Sequence, residues 1–371
     1  MQANRMMFHH PAFIILLAAY SLTLFGCASA STVRDSAEGG IDRLFTRWAD
    51  PRLPGGSVLV IKDGEAVYRR AFGAANLEER VPNTPSTNFR LASVTKQFTA
   101  MSVMILEEQG KLGFDDILPD FFPDFPPYGR KITVRHLLQH TSGLIDYENV
   151  TADSTTVPLL DRDVLMLMKR QDSTYFAPGS RHRYSNSGYA LLALIVEKVS
   201  ARSFATFLKE KIFDPLGMSS TVAYEKGIST ISKRAYGYTR RDSSDERSFE
   251  RTDQSMTSSV LGDGGIYSSV EDLFKWDQAL STSRLVSVST LNQALTPNVL
   301  PNGENTAYGF GWRIFDHRGL RCFHHSGSTV GFRTRIVRFP QQRLTVIVLA
   351  NRSDDDLEST AFKVADLFLI K

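Results

Sequence analysis

The residue pattern predicts an α/β protein of the α+β type. One antiparallel sheet is built from both chain ends and flanked by helices, and a helical lobe fills the middle. Three observations predict this. A hairpin pattern opens the folded part, apolar helical stretches follow, and four strand patterns return before the end. Strands at the two ends with helices between them favour one mixed unit over repeated βαβ crossovers. The composition is that of a globular chain: 371 residues, 42% hydrophobic and 22% charged. It excludes a disordered, collagen-like or coiled-coil protein.

The hairpin comes first. Ser57–Ile61 and Ala66–Phe72 read as strands joined at Asp63-Gly64, a pair that favours the positive φ angles of a tight turn. Val94 to Gln109 reads as a helix apolar nearly all round, hence buried, with Gly110 ending it. Thr133 caps a short helix over Val134–His140. Gly188–Ser200 and Ser203–Ile212 read as further apolar helices. Ser268 and Ser269 stand three residues before Glu271 and Asp272, a capping-box pattern for the helix that carries Trp276. Gly309–Ile314, Leu320–His325, Thr334–Phe339 and Leu344–Ala350 read as strands, and Thr360–Leu369 as an amphipathic helix.

The N-terminus has the layout of an export signal over residues 1–26. Arg5 precedes an uncharged apolar run from Pro11 to Gly26, followed by Leu24-Phe25-Gly26-Cys27 and small polar residues. The tetrad resembles a bacterial lipobox, which would make Cys27 the lipidated N-terminus of the mature chain. Plain secretion and an uncleaved anchor are the alternatives, although the run is short of the ~20 residues of a spanning helix. Residues 27–40 read as a tether, and 41–371 as one domain. Ala28 after Cys27 favours the periplasmic face of an outer membrane, in an organism that has one.

Charge is nearly balanced, 43 Lys+Arg against 40 Asp+Glu. The basic residues form no stripe with interleaved aromatics, so no nucleic-acid partner is expected. With only Cys27 and Cys322 present, no disulfide framework is expected, and Cys322 reads as a small buried hydrophobe.

Three motifs carry chemistry in combination. Ser93-Val94-Thr95-Lys96 opens the first buried helix, Tyr184-Ser185-Asn186 precedes another, and His325-Ser326-Gly327 ends a strand. Each is weak alone. The Tyr-x-Asn pattern occurs a second time at Tyr147-Glu148-Asn149. Ser93 and Lys96 stand three apart at a helix start and so share a face, where unpaired N–H groups and partial positive charge collect. A serine hydroxyl needs an adjacent base to attack a carbonyl, and Lys96 is the candidate. Tyr184 is placed to relay a proton, Asn186 to hold a substrate amide or carbonyl. The N–H groups of Ser93 and Ser328 are candidates for an oxyanion hole.

Together with Phe89–Lys96, Ile132–Leu144, Phe176–Gly179, Tyr184–Tyr189, Gly262–Ser268 and His325–Phe332, the chain resembles the serine β-lactamase / D,D-peptidase superfamily. It is most similar to the class C-like branch with its carboxypeptidases, esterases and D-aminopeptidases. The resemblance implies a β-lactamase/transpeptidase-like fold and acyl transfer through a covalent serine ester. No metal or other cofactor is implied. It selects the Tyr184 match over the Tyr147 match. It assigns Ser93 as nucleophile, Lys96 as general base, Tyr184 as general acid/base and His325 as electrostatic partner. Asn186, Ser326, Gly327 and Ser328 become the substrate-binding set. Typical β-lactamases carry Lys where this chain has His325, which is only partly charged at neutral pH. The expected substrates are therefore small esters, amides or D-peptides. The alternatives are a catalytically silent relative that binds cell-wall fragments or a partner protein, and a true class C-type β-lactamase.

Other residues have plainer readings. His136 and His140 have metal-ligand spacing, but no third ligand is evident and a structural role is expected. Arg333 and Arg335 read as surface strand charges, and Asp354-Asp355-Asp356 as a solvated helix cap.

Overall fold

The computed structural model describes Met1 and residues 37–369, apart from 153 and 243. The expected signal, Cys27 and most of the tether lie outside those residues. Six strands form the main sheet: β1 Gly56–Lys62, β2 Glu65–Phe72, β3 Arg313–His317, β4 Leu320–Thr329, β5 Phe332–Phe339 and β6 Leu344–Ala350. Their order is β3-β4-β5-β6-β1-β2 with every neighbouring pair antiparallel, so the two chain ends meet where β1 pairs with β6.

Alternation sorts the two faces. Val58, Val60, Val346 and Val348 face an outer apolar layer, while Leu59, Ile61, Ile347 and Leu349 face an inner one. This is the period of two that a strand imposes. Both faces are covered, so β1 and β6 are buried almost throughout. The Asp63-Gly64 turn forms as expected, with φ of 54° and 86°.

On the inner side α1 (Lys96–Glu108) is buried from Lys96 to Leu106. Beyond it lie α2 (Val134–Leu138), α3 (Asn186–Ser200) and α4 (Val270–Ala279). Thr133 caps α2 by accepting from His136 N, and Ser269 caps α4 by accepting from Asp272 N. Asp277 of α4 accepts from Arg338 Nε at 2.6 Å and Thr345 Oγ1 at 2.8 Å, tying the helix to β5 and β6. On the outer side α5 (Leu357–Leu369) and a helical stretch over 37–44 cover the sheet. Ala37, in that stretch, is buried. Among the described residues no helix is long and apolar enough to cross a membrane.

Three expectations need correction. The first late strand begins at Arg313, because Gly309 to Trp312 form a turn closed by Gly309 N to Trp312 O. Gly311 holds φ +74° there, and a Cβ would sit 2.8 Å from Lys96 O. The Phe-Gly-Trp run is thus a close backbone approach to α1. Arg335 is no surface charge: it is buried on the outer side, with Nη1 3.1 Å from Glu358 Oε2. Arg333 is half-buried and donates to the carbonyls of Thr329 and Phe332. The acidic run is only partly solvated, since Asp354 accepts from buried Arg352 and Asp355 from Trp48 Nε1.

His324 lies on the same outer side, edge-on to Phe315 with ring centroids 4.8 Å apart. Burial and the nearby positive charge of Arg335 hold its pKa down at about 2. The folded protein therefore keeps this ring neutral where the unfolded chain, near 6.5, takes a proton. Each pH unit below 6.5 thus costs the native state about 1.4 kcal/mol at this residue. His324→Leu removes that cost. Relative to wild type, the variant's unfolding free energy in urea should rise by about 2 kcal/mol between pH 8 and pH 5. A pH-independent difference would show that His324 is not held neutral.

Candidate active site

Every residue from Thr87 to Leu106 is buried except Ser93, which is half-exposed. The preceding residue, Ala92, has φ +49°, an unfavourable conformation for a side chain with a Cβ. It leads into a 3₁₀ turn, Ala92–Thr95, that feeds α1. β4 presses against this turn: a Cβ on Gly327 would lie 2.1 Å from Leu91 O. Thr334 Oγ1 donates to the same carbonyl at 2.7 Å. β4 runs on past His325 to Thr329, and so carries Ser326, Gly327 and Ser328 alongside Ser93.

Lys96 is completely buried. Its Nζ lies 3.2 Å from Ser93 Oγ, 2.8 Å from Asn186 Oδ1 and 2.8 Å from the Asp263 carbonyl oxygen. The amide of Asn186 is oriented by its other end, since Nδ2 donates to Glu148 Oε1 at 3.1 Å. A carboxylate only accepts, so Oδ1 must be the atom that faces Lys96. The ring of Tyr184 lies 4.9 Å from Lys96 Nζ. Its hydroxyl is buried and has no hydrogen-bond partner among the described residues. Such an orphan is unusual in a native fold and marks a site for substrate, water or a transferred proton.

The glycine run of residues 262–265 has a definite structural purpose. Gly262 packs on α3, where a Cβ would meet Tyr189 O at 2.3 Å. Its carbonyl accepts from Thr99 Oγ1 and that of Gly264 from Arg90 Nε. Asp161, pushed up to about 7 by burial, accepts from the N–H groups of Leu261 and Gly262. The segment is clamped from both sides, which fixes the Asp263 carbonyl against Lys96. The Asp263 carboxyl, pushed up to about 6 by burial against the opposing pull of Lys96, accepts from Tyr147 OH at 2.9 Å.

His325 is 1% exposed. Nδ1 is 2.8 Å from Ser326 O, and Nε2 is 2.9 Å from Tyr308 OH. Burial, and secondarily the Lys96 charge, hold its pKa well below the ordinary value. Both effects disfavour the imidazolium form. His136 Nδ1 accepts from Thr133 N and His140 Nδ1 from Ser185 N.

Ser93, Tyr147, Glu148, Asn186, Asp263 and Ser328 line one shallow cleft of about 50 Å³. A much larger cavity, about 520 Å³, lies beside Arg69, Ser220 and Lys275. It holds none of these groups, so chemistry and not volume identifies the site. The expected residues therefore converge. Asp263, Tyr308 and Glu148 join them unannounced, although Tyr147-Glu148-Asn149 had already drawn notice as the second Tyr-x-Asn match.

Comparison with known proteins places the chain in a family. The chain is 37% identical over 342 residues to penicillin-binding protein 4* of Bacillus subtilis, covering 89% of this chain and 75% of that protein. It is 32% identical to a D-aminopeptidase of Gluconobacter oxydans over 80% of this chain, and spans only 56% of that enzyme's length. The octameric penicillin-binding protein homologue from Pyrococcus abyssi superposes with a TM-score of 0.78 at 30% identity, covering 90% of this chain and 77% of the other. The fold is thus of the β-lactamase/transpeptidase kind and the protein is a serine hydrolase. The Beta-lactamase family profile matches residues 41–367, and the chain belongs to that family.

Proposed function

We propose that the protein is an exported acyl hydrolase that cleaves small amides and esters of D-amino acids, with Ser93 as nucleophile and Lys96 as its base. The geometry around Lys96 Nζ carries the reading. In the form that can accept a proton, the Lys96 amine has two N–H donors and one lone pair. Two of its three neighbours, Asn186 Oδ1 and the Asp263 carbonyl, only accept. They take the two N–H groups and turn the lone pair toward Ser93 Oγ at 3.2 Å. The Ser93 proton passes to Nζ as Oγ bonds to the substrate carbonyl carbon. The N–H groups of Ser93 and Ser328 receive the negative oxygen. The bond to the leaving amine or alcohol then breaks, and the orphan hydroxyl of Tyr184 hands over the proton. Water attacks the Ser93 ester by the same steps in reverse order and frees the serine.

Glu148 supports the choice of acyl group. It is exposed in the cleft and hydrogen-bonded to Asn186, so it presents negative charge where a free α-ammonium would enter. The D-configuration rests on the D-aminopeptidase relatives. A neutral His325 offers no fixed cation for a β-lactam carboxylate, which disfavours the β-lactamase alternative. The intact Ser93–Lys96–Asn186 set disfavours a silent binding protein. Export and lipid attachment at Cys27 rest on the N-terminal pattern alone.

Turnover of D-alanine p-nitroanilide, its L-isomer and a chromogenic cephalosporin tests the reading. The D-anilide should be preferred, and preference for the cephalosporin would sink it. Glu148→Gln keeps an acceptor for Asn186 but loses the charge. Its KM for the D-anilide should rise about tenfold, equivalent to ~1.4 kcal/mol, with kcat on neutral p-nitrophenyl butyrate little changed. Equal losses on both substrates would reduce Glu148 to a support for Asn186.

A further inference from the structure

Tyr308 lies outside every motif of the sequence, yet its hydroxyl is 2.9 Å from His325 Nε2. Its backbone is pinned by Asn298 N, which donates to Tyr308 O at 3.0 Å, and its ring is buried. The protons can be counted around the pair. Ser326 O only accepts, so the hydrogen between it and His325 must sit on Nδ1. A neutral ring then has an acceptor at Nε2, and Tyr308 is its donor. Tyr189, the other hydroxyl close to Tyr308, spends its own proton on Leu138 O at 2.8 Å.

The opposite assignment has Tyr308 donating to Tyr189. It leaves His325 a donor at both nitrogens, an imidazolium. Around the ring stand Lys96 from α1, His140 after α2, Tyr184 before α3, Tyr308, Arg313 on β3 and the neighbouring His324, with Arg335 of β5 acting from the outer side. None of these is acidic, so an imidazolium would be buried among cations and neutral groups without a counter-charge, a costly state.

We propose that Tyr308 is a positioning residue that locks His325 as the neutral Nδ1–H tautomer, so that the third motif of the site acts as a hydrogen-bonded scaffold and supplies no cation to the cleft. The bonding of the ring is thus completed by a hydroxyl from a residue outside all three motifs. In its absence Nε2 has no donor, and the Nδ1–H tautomer rests on Ser326 O alone.

Long-range ¹H–¹⁵N NMR of the histidine-labelled full chain tests this directly, with His325→Gln identifying the signal. In the wild type His325 should show protonated Nδ1 and bare Nε2 from pH 5 to 8.5, without titrating. An Nε2–H tautomer, an imidazolium or a titration in that range overturns the proposal. In Tyr308→Phe the ring should stay neutral, because its burial and Lys96 are unchanged, and the Nε2 resonance should move to that of an imidazole nitrogen without a hydrogen bond. An Nε2 resonance unchanged from wild type would reduce Tyr308 to packing. Should that variant not fold, the wild-type spectrum still decides.

Discussion

Ser93→Ala should reduce hydrolysis of p-nitrophenyl butyrate to background, a fall in kcat of about 10⁴-fold or more. Removing one half-exposed hydroxyl from a turn otherwise packed by Ala92, Val94 and Thr95 should cost under about 1 kcal/mol of stability. The effect on activity is therefore separable from folding. Lys96 keeps its contacts to Asn186 and Asp263 in the variant, and the rest of the site stays assembled. Mass spectrometry of quenched reactions gives the second readout. The wild type should carry one butyryl group on the peptide containing Ser93, and the variant none. Equal hydrolysis by both proteins would place the nucleophile elsewhere and dismantle the assignment of the whole cleft.

Legibility followed the kind of signal each feature leaves. β1, β2 and β6 were readable because apolar residues alternate or run unbroken and Asp63-Gly64 punctuates them. α1 and α3 were readable because their apolar faces are broad. The strand misplaced at Gly309–Ile314 has the same apolar and aromatic content, but its glycines are there for contact with Lys96 O and Ala294 O. That purpose is invisible before the chain is folded. In the site, Ser93, Lys96, Tyr184 and Asn186 act through side chains at short spacings, which motifs capture. The Asp263 contribution comes from a main-chain carbonyl, and a carbonyl has no residue type to recognise. Tyr308 meets His325 across a turn and a β-hairpin edge, so no local pattern joins them. The neutrality of His325 results from burial and from Lys96, far away in the chain. The residue type alone carries neither influence.

Lys96→Ala should lower kcat by about 10³-fold or more, at the upper end of what a positioned base contributes, and should also destabilise the fold. The side chain is wholly buried, and its loss leaves Asn186 Oδ1 and the Asp263 carbonyl without their donor. Each abandoned acceptor costs about 1–3 kcal/mol unless water enters the space. Low activity alone would therefore not distinguish a base from a structural strut, and rescue does. Truncation at Cβ leaves room for a small primary amine between Ser93, Asn186 and Asp263. Methylamine should restore part of the rate to the folded variant, in proportion to the concentration of its free base and not of its ammonium form. Lys96→Arg supplies the complementary case, because a guanidinium keeps the charge and the donors but does not give up a proton. It should be as inactive as Lys96→Ala and indifferent to methylamine. If Lys96→Arg retains substantial turnover, or if rescue tracks the ammonium ion, Lys96 acts as a fixed cation. The proton of Ser93 must then leave by another route, with Tyr184 the other candidate to take it.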